Sequence, residues 1–247
     1  MSKLTSIQIT LRVVIFCILV LASLDVRAQQ GIADAKSAAL IEELEEAMGG
    51  REAYDAIRTI RWNFFGFRDL VWDKHTGDLR VDVPRDEATF LLNLNTGVGK
   101  VKRGQEIVEH PDSLSKALDQ ARRMWINDAY WLVMPWKLRD AGVTVSYLSE
   151  GETESGEPAD VMSLTFNEVG VTPQNKYHIW ITKEDKLLKQ WAFYPDASDE
   201  EPRSIWPWDN YQLVDGTVKL SFDRSDDKGP KAVKVEGVLD AKLFTEF

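Results

Sequence analysis

The chain has 247 residues, of which 40 are acidic and 30 are basic, and its formal net charge is −10 at neutral pH. This charge argues against nucleic acids and anionic membrane surfaces as partners, because both select proteins with basic patches. The single cysteine, Cys17, lies in an N-terminal apolar segment. The rest of the chain therefore offers no cysteine for a disulfide, a thiolate metal site or nucleophilic catalysis.

Residues 1–28 have the pattern of a cleavable secretory signal peptide. Lys3 and Arg12 supply positive charge, residues 13–22 are apolar, and cleavage is predicted after Ala28. The apolar stretch is shorter than the ~18 residues that a membrane-spanning helix usually needs, which argues against the alternative of an uncleaved anchor. Cleavage removes three basic residues and one acidic residue, which changes the net charge from −10 to −12. We therefore expect a periplasmic or secreted protein.

An amphipathic helix is predicted near the start of the mature chain, at residues 35–48. Asp34 is a suitable N-cap, and apolar residues recur at helical spacing opposite a run of glutamates. Gly49 and Gly50 end the helix, because glycine tolerates the left-handed backbone that often follows a helix. No proline-rich or glycine-rich linker divides residues 29–247, so we expect a single domain.

From Ile60 onward the hydrophobic pattern changes to a period of two, which indicates antiparallel strands with one apolar face. Asp215-Gly216 predicts a tight hairpin, because both residue types tolerate positive φ angles. A second amphipathic helix is predicted at residues 113–126. The sequence thus predicts a mainly β (α+β) fold, in which one or two helices cover a continuous, strongly curved antiparallel half-barrel sheet.

Aromatic and large aliphatic residues recur at alternate positions of several predicted strands. Side chains two residues apart share a sheet face. The side chains expected to face the interior of the curved sheet are Trp62, Phe64, Phe90, Leu92, Trp180, Trp191 and Phe193. Trp131 and Trp136 are expected at the mouth of this interior, because Pro135 interrupts the apolar run between them. Two interpretations are open: these side chains fill a core, or they line a cavity for an apolar ligand.

Signals for catalysis are weak. His75, His110 and His178 show no metal-binding spacing, and no serine motif of the GxSxG type occurs. We therefore predict no catalytic residue, no metal and no cofactor, and a protein that is not an enzyme. A pair of carboxylates in the cavity is the one catalytic alternative, since glycosidases need only two.

Several short segments resemble a known group of bacterial proteins. They are Gly49-Gly50 followed by Tyr54-Asp55-Ala56-Ile57, then Trp72-Asp73-Lys74-x-Thr76-Gly77, Asn127-Asp128-x-Tyr130-Trp131-Leu132 and Val169-Gly170-x-Thr172-Pro173-x-x-Lys176-Tyr177. The chain resembles an uncharacterised family of exported bacterial proteins. That family in turn resembles the broad superfamily of LolA- and LolB-like periplasmic lipoprotein carriers and outer-membrane lipoprotein-sorting proteins. The resemblance covers most of the mature chain in the order of its elements.

This resemblance implies an unclosed half-barrel, lidded by helices, whose concave apolar face receives acyl chains. Two features depart from the carriers. No arginine can be matched to their gating arginine, although Arg61 and Arg80 are candidates by strand position, and the mature chain lacks the lipoprotein cysteine of LolB. The resemblance therefore supports the fold more strongly than it supports lipoprotein transport.

These observations lead to three functional hypotheses. The first is a non-catalytic periplasmic carrier or binding protein for a lipid, an acyl chain or another apolar ligand. The second is an envelope hydrolase with paired carboxylates in the same cavity. The third is a cell-envelope interaction module, in which exposed aromatics around Trp206-Pro207-Trp208 dock a protein partner. None of the three involves nucleic acid, or stable membrane insertion after signal cleavage.

Overall fold

The structure, a computed structural model, describes residues 31–167, 169–226 and 228–247. The predicted signal peptide and its cleavage site after Ala28 lie outside the described residues. Within the described ranges, no helix combines the length and the apolar character needed to cross a membrane.

Among the described residues, four α-helices and two short 3₁₀ turns accompany the strands. The helices are α1 (Ala35–Ala47), α2 (Arg51–Ala56), α3 (Pro111–Val133) and α4 (Lys242–Thr245), and the 3₁₀ turns are Pro84–Asp86 and Met134–Lys137. The N-cap prediction for α1 is confirmed, because Asp34 accepts hydrogen bonds from the backbone and the hydroxyl of Ser37, both at 2.8 Å. Asp34 also accepts a hydrogen bond from the backbone of Tyr147 at 3.1 Å. This one carboxylate therefore starts α1 and joins it to a strand.

The larger sheet contains seven antiparallel strands. They are β1 (Thr59–Phe64), β2 (Arg68–Asp73), β3 (Asp78–Val83), β4 (Ala88–Asn93), β5 (Gly99–Arg103), β6 (Glu106–Ile107) and β14 (Pro230–Glu236). Their spatial order is β14-β1-β2-β3-β4-β5-β6, so consecutive hairpins build the sheet and the last strand of the chain completes one edge. The sheet is curved but open, because β14 and β6 remain at opposite edges.

A second sheet follows α3 in the chain. Its five strands, in the spatial order β11-β10-β9-β8-β7, are also antiparallel, and a separate hairpin pairs β12 with β13. The bounds are β7 (Val143–Glu152), β8 (Pro158–Phe166), β9 (Lys176–Thr182), β10 (Leu188–Tyr194), β11 (Ser204–Pro207), β12 (Asp209–Leu213) and β13 (Lys219–Asp223). The hairpin prediction at Asp215-Gly216 is confirmed, since it joins β12 to β13.

The predicted fold class is confirmed: the chain forms mostly antiparallel strands, with a large curved sheet and a covering helix. The expectation of one continuous sheet is wrong, because hydrogen bonding divides the strands into sheets of seven, five and two. The division has a local cause. Strand β6 has only two residues and leads directly towards the 23-residue helix α3, so the ladder ends there and β7 starts a new one.

Helix α3 is longer than the sequence pattern predicted, because it continues past residue 126 to Val133. Its buried face repeats at helical spacing through Ala121, Asp128, Ala129 and Leu132, so residues 127–133 extend the same face. Pro135 therefore does not interrupt a strand. It lies in the first turn of the 3₁₀ segment after α3, where its missing N–H costs no hydrogen bond.

The cap of α1 provides a test of the fold. We expect Asp34→Ala to lower the melting temperature by roughly 2–4 °C, since it removes a side-chain cap from a domain of this size. Asp34→Asn is the matched control, because its amide oxygen still accepts the hydrogen bond from Ser37. A thermal melt of Asp34→Ala that superimposes on the wild-type melt at neutral pH would contradict this role.

The same residue predicts a pH dependence. The hydrogen bonds from Ser37 hold the pKa of Asp34 below its usual value. The stabilisation by this carboxylate is therefore present above the pKa of the unfolded chain, and it is lost as the pH falls through the lower pKa of the folded state. The difference in melting temperature between wild type and Asp34→Ala should shrink in that acidic range, as measured by calorimetry across pH.

Candidate ligand-binding cleft

An apolar cleft lies between the C-terminal half of α3 and the inner face of the five-stranded sheet. It has a first lobe of about 90 Å³ and a second lobe of about 200 Å³. Both lobes are bordered by Ile126, Tyr130, Phe166, Val169 and Gly170, so they adjoin one another. We refer to the two lobes together as the α3 cleft.

Aromatic rings form the wall of the first lobe. Tyr177 stacks on Trp191 with ring centres 4.9 Å apart and planes 4° apart, and Trp131 meets Trp191 edge-on at 4.5 Å. Phe166 meets Tyr177 edge-on at 5.8 Å. Stacked and edge-on rings hold one another in preferred geometries. The wall is therefore a set of mutually fixed rings that come from α3 and three strands.

Tyr130 stands between the two lobes. Its ring lies 6.0 Å from Phe166 and 5.9 Å from Tyr177, and its hydroxyl is buried with no hydrogen-bond partner among the described residues. Burial raises the pKa of Tyr130 well above its usual value, with a smaller contribution from the charge of Asp140. The hydroxyl is therefore a protonated donor at every physiological pH.

An ion pair fixes α3 to the seven-stranded sheet beside the cleft. The guanidinium of Arg68 donates two hydrogen bonds to Asp128, both of 2.7 Å, and the Asp128 side chain is fully buried. Asn127 donates a third hydrogen bond to the same carboxylate at 2.9 Å. Burial raises the pKa of Asp128, whereas the bonds from Arg68 and Asn127 act in the opposite direction. The bidentate geometry specifies the position of α3 as well as holding it.

The second lobe ends at a polar rim, where Lys137 pairs with Asp140 at 2.5 Å. Asp140 is the one carboxylate among the described residues that line the two lobes. The buried carboxylates of Glu45, Asp73 and Asp128 are each paired with arginine. In addition, no three His, Cys, Asp or Glu side chains of the described residues are grouped closely enough to hold a metal ion.

Two of the nine predicted ligand-binding residues, Trp131 and Trp191, border the α3 cleft. Phe193 shares the face of Trp191 and lies half-buried beside Tyr177, with the ring centres 5.5 Å apart. The four from the seven-stranded sheet lie on its buried face and belong to the hydrophobic core; they are Trp62, Phe64, Phe90 and Leu92. They face inward as predicted and lie outside the α3 cleft, although Leu92 borders a separate depression of about 380 Å³ and Trp62 one of about 170 Å³.

The predicted positions of Trp136 and Trp180 are wrong. Trp136 does not lie at a mouth: it is 1% exposed and stacks on Tyr54, with ring centres 4.5 Å apart. Trp180 lies on the sheet face opposite Ile179 and Ile181, which are in the core. Because both faces of this strand carry apolar residues, alternation alone could not show which face is buried. Trp131, predicted at the mouth from an irregular segment, borders the cleft from within α3.

Sequence reasoning missed the residues that both lobes share, above all Tyr130. A signal for them was present in the segments that carry the family resemblance. Residues 127–132 and 169–177 are 37 or more positions apart in the chain, yet both contribute to the first lobe. In the segment that begins at Trp72, this residue meets Trp125 of α3 edge-on, with ring centres 5.1 Å apart. One of these segments therefore lies within α3, and two others pack against the helix.

Comparison with known proteins adds little to this geometry. No family model matches the sequence, and no curated protein matches it. Among solved structures, the chain is similar to a DUF1329 family protein from Desulfovibrio piger, with 12% sequence identity and a TM-score of 0.43. The match covers 85% of this chain and 97% of the other. Likeness at this level does not assign the chain to a family.

The Arg68–Asp128 pair predicts a stability effect. Asp128→Ala leaves a partly buried guanidinium without its carboxylate, so we expect the free energy of unfolding to fall by about 3 kcal/mol. Asp119→Ala is the control, because Asp119 lies exposed on the same helix and should change the value by less than about 0.5 kcal/mol. Chemical denaturation measures both. Equal effects of the two substitutions would show that the pair does not hold α3.

Proposed function

We propose that the protein is a non-catalytic carrier or binding protein of the cell envelope. In this proposal the α3 cleft holds a single acyl chain or a comparable apolar group. The observation that carries the proposal is the aromatic wall around Tyr130, Tyr177 and Trp191, which borders open space beside the buried core. Concave, mostly apolar sites with a few polar groups are the usual form of small-molecule sites.

The size of the cleft favours a slender ligand. Pockets for drug-sized molecules usually measure about 300–1,000 Å³, whereas the lobes measure about 90 and 200 Å³. One acyl chain suits such a narrow space, and transfer of each methylene from water is worth about 0.8 kcal/mol. The polar rim at Lys137 and Asp140 would then lie near the head group.

Larger depressions elsewhere suit this ligand less well. One of about 380 Å³ has a single aromatic residue in its lining, Phe244, and one of about 690 Å³ near residues 31–38 has none among its described residues. A cleft with an aromatic wall buries more apolar surface per methylene than either depression. For this reason the proposal places the ligand against α3.

The sequence supports two further parts of the proposal, which are the location of the protein in the cell envelope and its relationship to a family of carriers. The signal-peptide pattern of residues 1–28 supports export to the periplasm or beyond. A relationship to the LolA- and LolB-like carriers is part of the proposal as well. It is supported by the fact that residues 127–132 and 169–177, which carry the resemblance, both border the α3 cleft. Acyl-chain binding is the property that such a relationship implies.

The two alternatives have weaker support. A hydrolase with paired carboxylates would need a second acid in the cleft, where Asp140 already forms an ion pair with Lys137. An interaction module would need exposed aromatics around Trp206-Pro207-Trp208. Trp208 is fully buried against Arg224, and Trp206 packs against Trp131 at 5.8 Å.

Blocking the cleft tests the proposal. Ile126 is half-buried and borders both lobes, so Ile126→Trp should fill them and reduce affinity for dodecanoate at least tenfold. Leu148→Trp is the matched control, because Leu148 is 47% exposed and lies outside the lining. Isothermal calorimetry on the folded variants measures the affinities. Unchanged binding to Ile126→Trp, or no dodecanoate binding to wild type, would contradict the proposal.

A further inference from the structure

The unpaired hydroxyl of Tyr130 is an unusual feature of the α3 cleft. Buried tyrosine hydroxyls normally have a hydrogen-bond partner, because an unpaired polar group is costly away from water. Other tyrosines of the described structure follow this rule. Tyr211 donates to the carbonyl of Leu188 at 2.8 Å, and the hydroxyl of Tyr194 lies 3.0 Å from Nδ1 of His178. Tyr130 is the one tyrosine whose buried hydroxyl has no partner among the described residues.

The surroundings of Tyr130 show what kind of partner is missing. The indole N–H groups of Trp191 in the first lobe and Trp125 in the second are also buried without acceptors. Trp62 and Trp136 share this property in the core, so the indoles alone would not indicate a site. Tyr130 differs because its side chain lines both lobes, whereas Trp191 lines only the first lobe and Trp125 only the second. The lining of the cleft therefore contains buried hydrogen-bond donors that have no acceptor among the described residues.

We propose that the ligand carries a carbonyl oxygen within its apolar part, as an ester-linked acyl chain does, and that the Tyr130 hydroxyl donates a hydrogen bond to it. This inference rests on the proposed function and names the class of ligand. An ester supplies an acceptor without adding a donor, which matches the unpaired groups of the lining. A hydrocarbon chain alone would leave the hydroxyl of Tyr130 unpaired.

Such a site discriminates between ligands according to the hydrogen-bond donors of the protein that each ligand leaves unpaired. A ligand that lacks the acceptor leaves a buried donor unpaired, and polar sites reject such analogues more strongly than apolar sites reject a change in size. The high pKa of Tyr130, which results mainly from burial, keeps the proton on the hydroxyl. Preference for the carbonyl should therefore be constant across neutral and mildly alkaline pH.

The first test is on the protein without ligand. Tyr130→Phe removes the hydroxyl and keeps the ring, so it should leave the melting temperature unchanged or raise it, because an unpaired buried polar group is lost. Tyr211→Phe is the matched control and should lower the melting temperature, since it leaves the carbonyl of Leu188 without its donor. A clear loss of stability in Tyr130→Phe would mean that the hydroxyl has a structural partner, and it would overturn the inference.

The second test compares two lipids that differ at one group. The probes are 1-dodecanoyl-lysophosphatidylcholine and its 1-dodecyl ether analogue, titrated below their micelle-forming concentrations and followed by tryptophan fluorescence. Wild type should bind the ester roughly threefold to tenfold more tightly than the ether, the range expected for one neutral hydrogen bond. Tyr130→Phe should bind both lipids with the affinity that wild type has for the ether.

The possible outcomes separate the two proposals. If both lipids bind wild type equally, or if the preference for the ester persists in Tyr130→Phe, the ester inference is wrong and acyl-chain binding stands. If neither lipid binds wild type, acyl-chain binding itself is contradicted, and the ester inference fails with it.

Discussion

The position of helix α3 is the constraint on which the rest of the structure depends. Among the strands that the structure describes, the seven-stranded and five-stranded sheets share no hydrogen-bonded pair, so side-chain packing must hold them together. Helix α3 packs against β4 and β5 of the larger sheet, and its Trp131 meets Trp191 of the smaller one. The bidentate pair of Arg68 and Asp128 fixes the helix at the point where it passes from one sheet to the other.

The α3 cleft is a consequence of this arrangement. The open space lies where the C-terminal half of α3 meets β8, β9 and β10. Aromatic rings in stacked and edge-on contact border that space. The buried hydroxyl of Tyr130 lies there without a hydrogen-bond partner among the described residues, which lowers the stability of the folded protein. Departures from the rule that buried polar groups form hydrogen bonds are common at functional sites. The indole N–H groups of Trp62 and Trp136 in the core also have no acceptor in the part of the chain that the structure describes, so an unpaired group indicates a site only where it lies beside the cleft.

Local sequence signals predicted the local structure well. The N-cap at Asp34 and the hairpin at Asp215-Gly216 depend on a few adjacent residues, and both are confirmed. The continuity of the sheet depends instead on where the pairing of strands ends. In this chain it ends at β6, a strand of two residues before α3. Trp180 was misplaced because a period of two shows which side chains share a face and not which face is buried. Trp136 was misplaced because its prediction rests on a strand that Pro135 interrupts, whereas Pro135 lies in a 3₁₀ turn after α3. The cleft itself requires residues near 130 and 177 to meet, and the sequence indicated this only through the segments that carry the resemblance.

The location of a bound acyl chain tests the central claim most directly. A crystal structure with a lysolipid that carries bromine at the end of a 12-carbon chain would locate the chain by anomalous scattering. We predict one bromine peak inside the α3 cleft, among Tyr130, Phe166 and Tyr177. A peak on the opposite face of the five-stranded sheet beside Trp180, or a cleft closed by its own side chains with no bromine in it, would contradict the account.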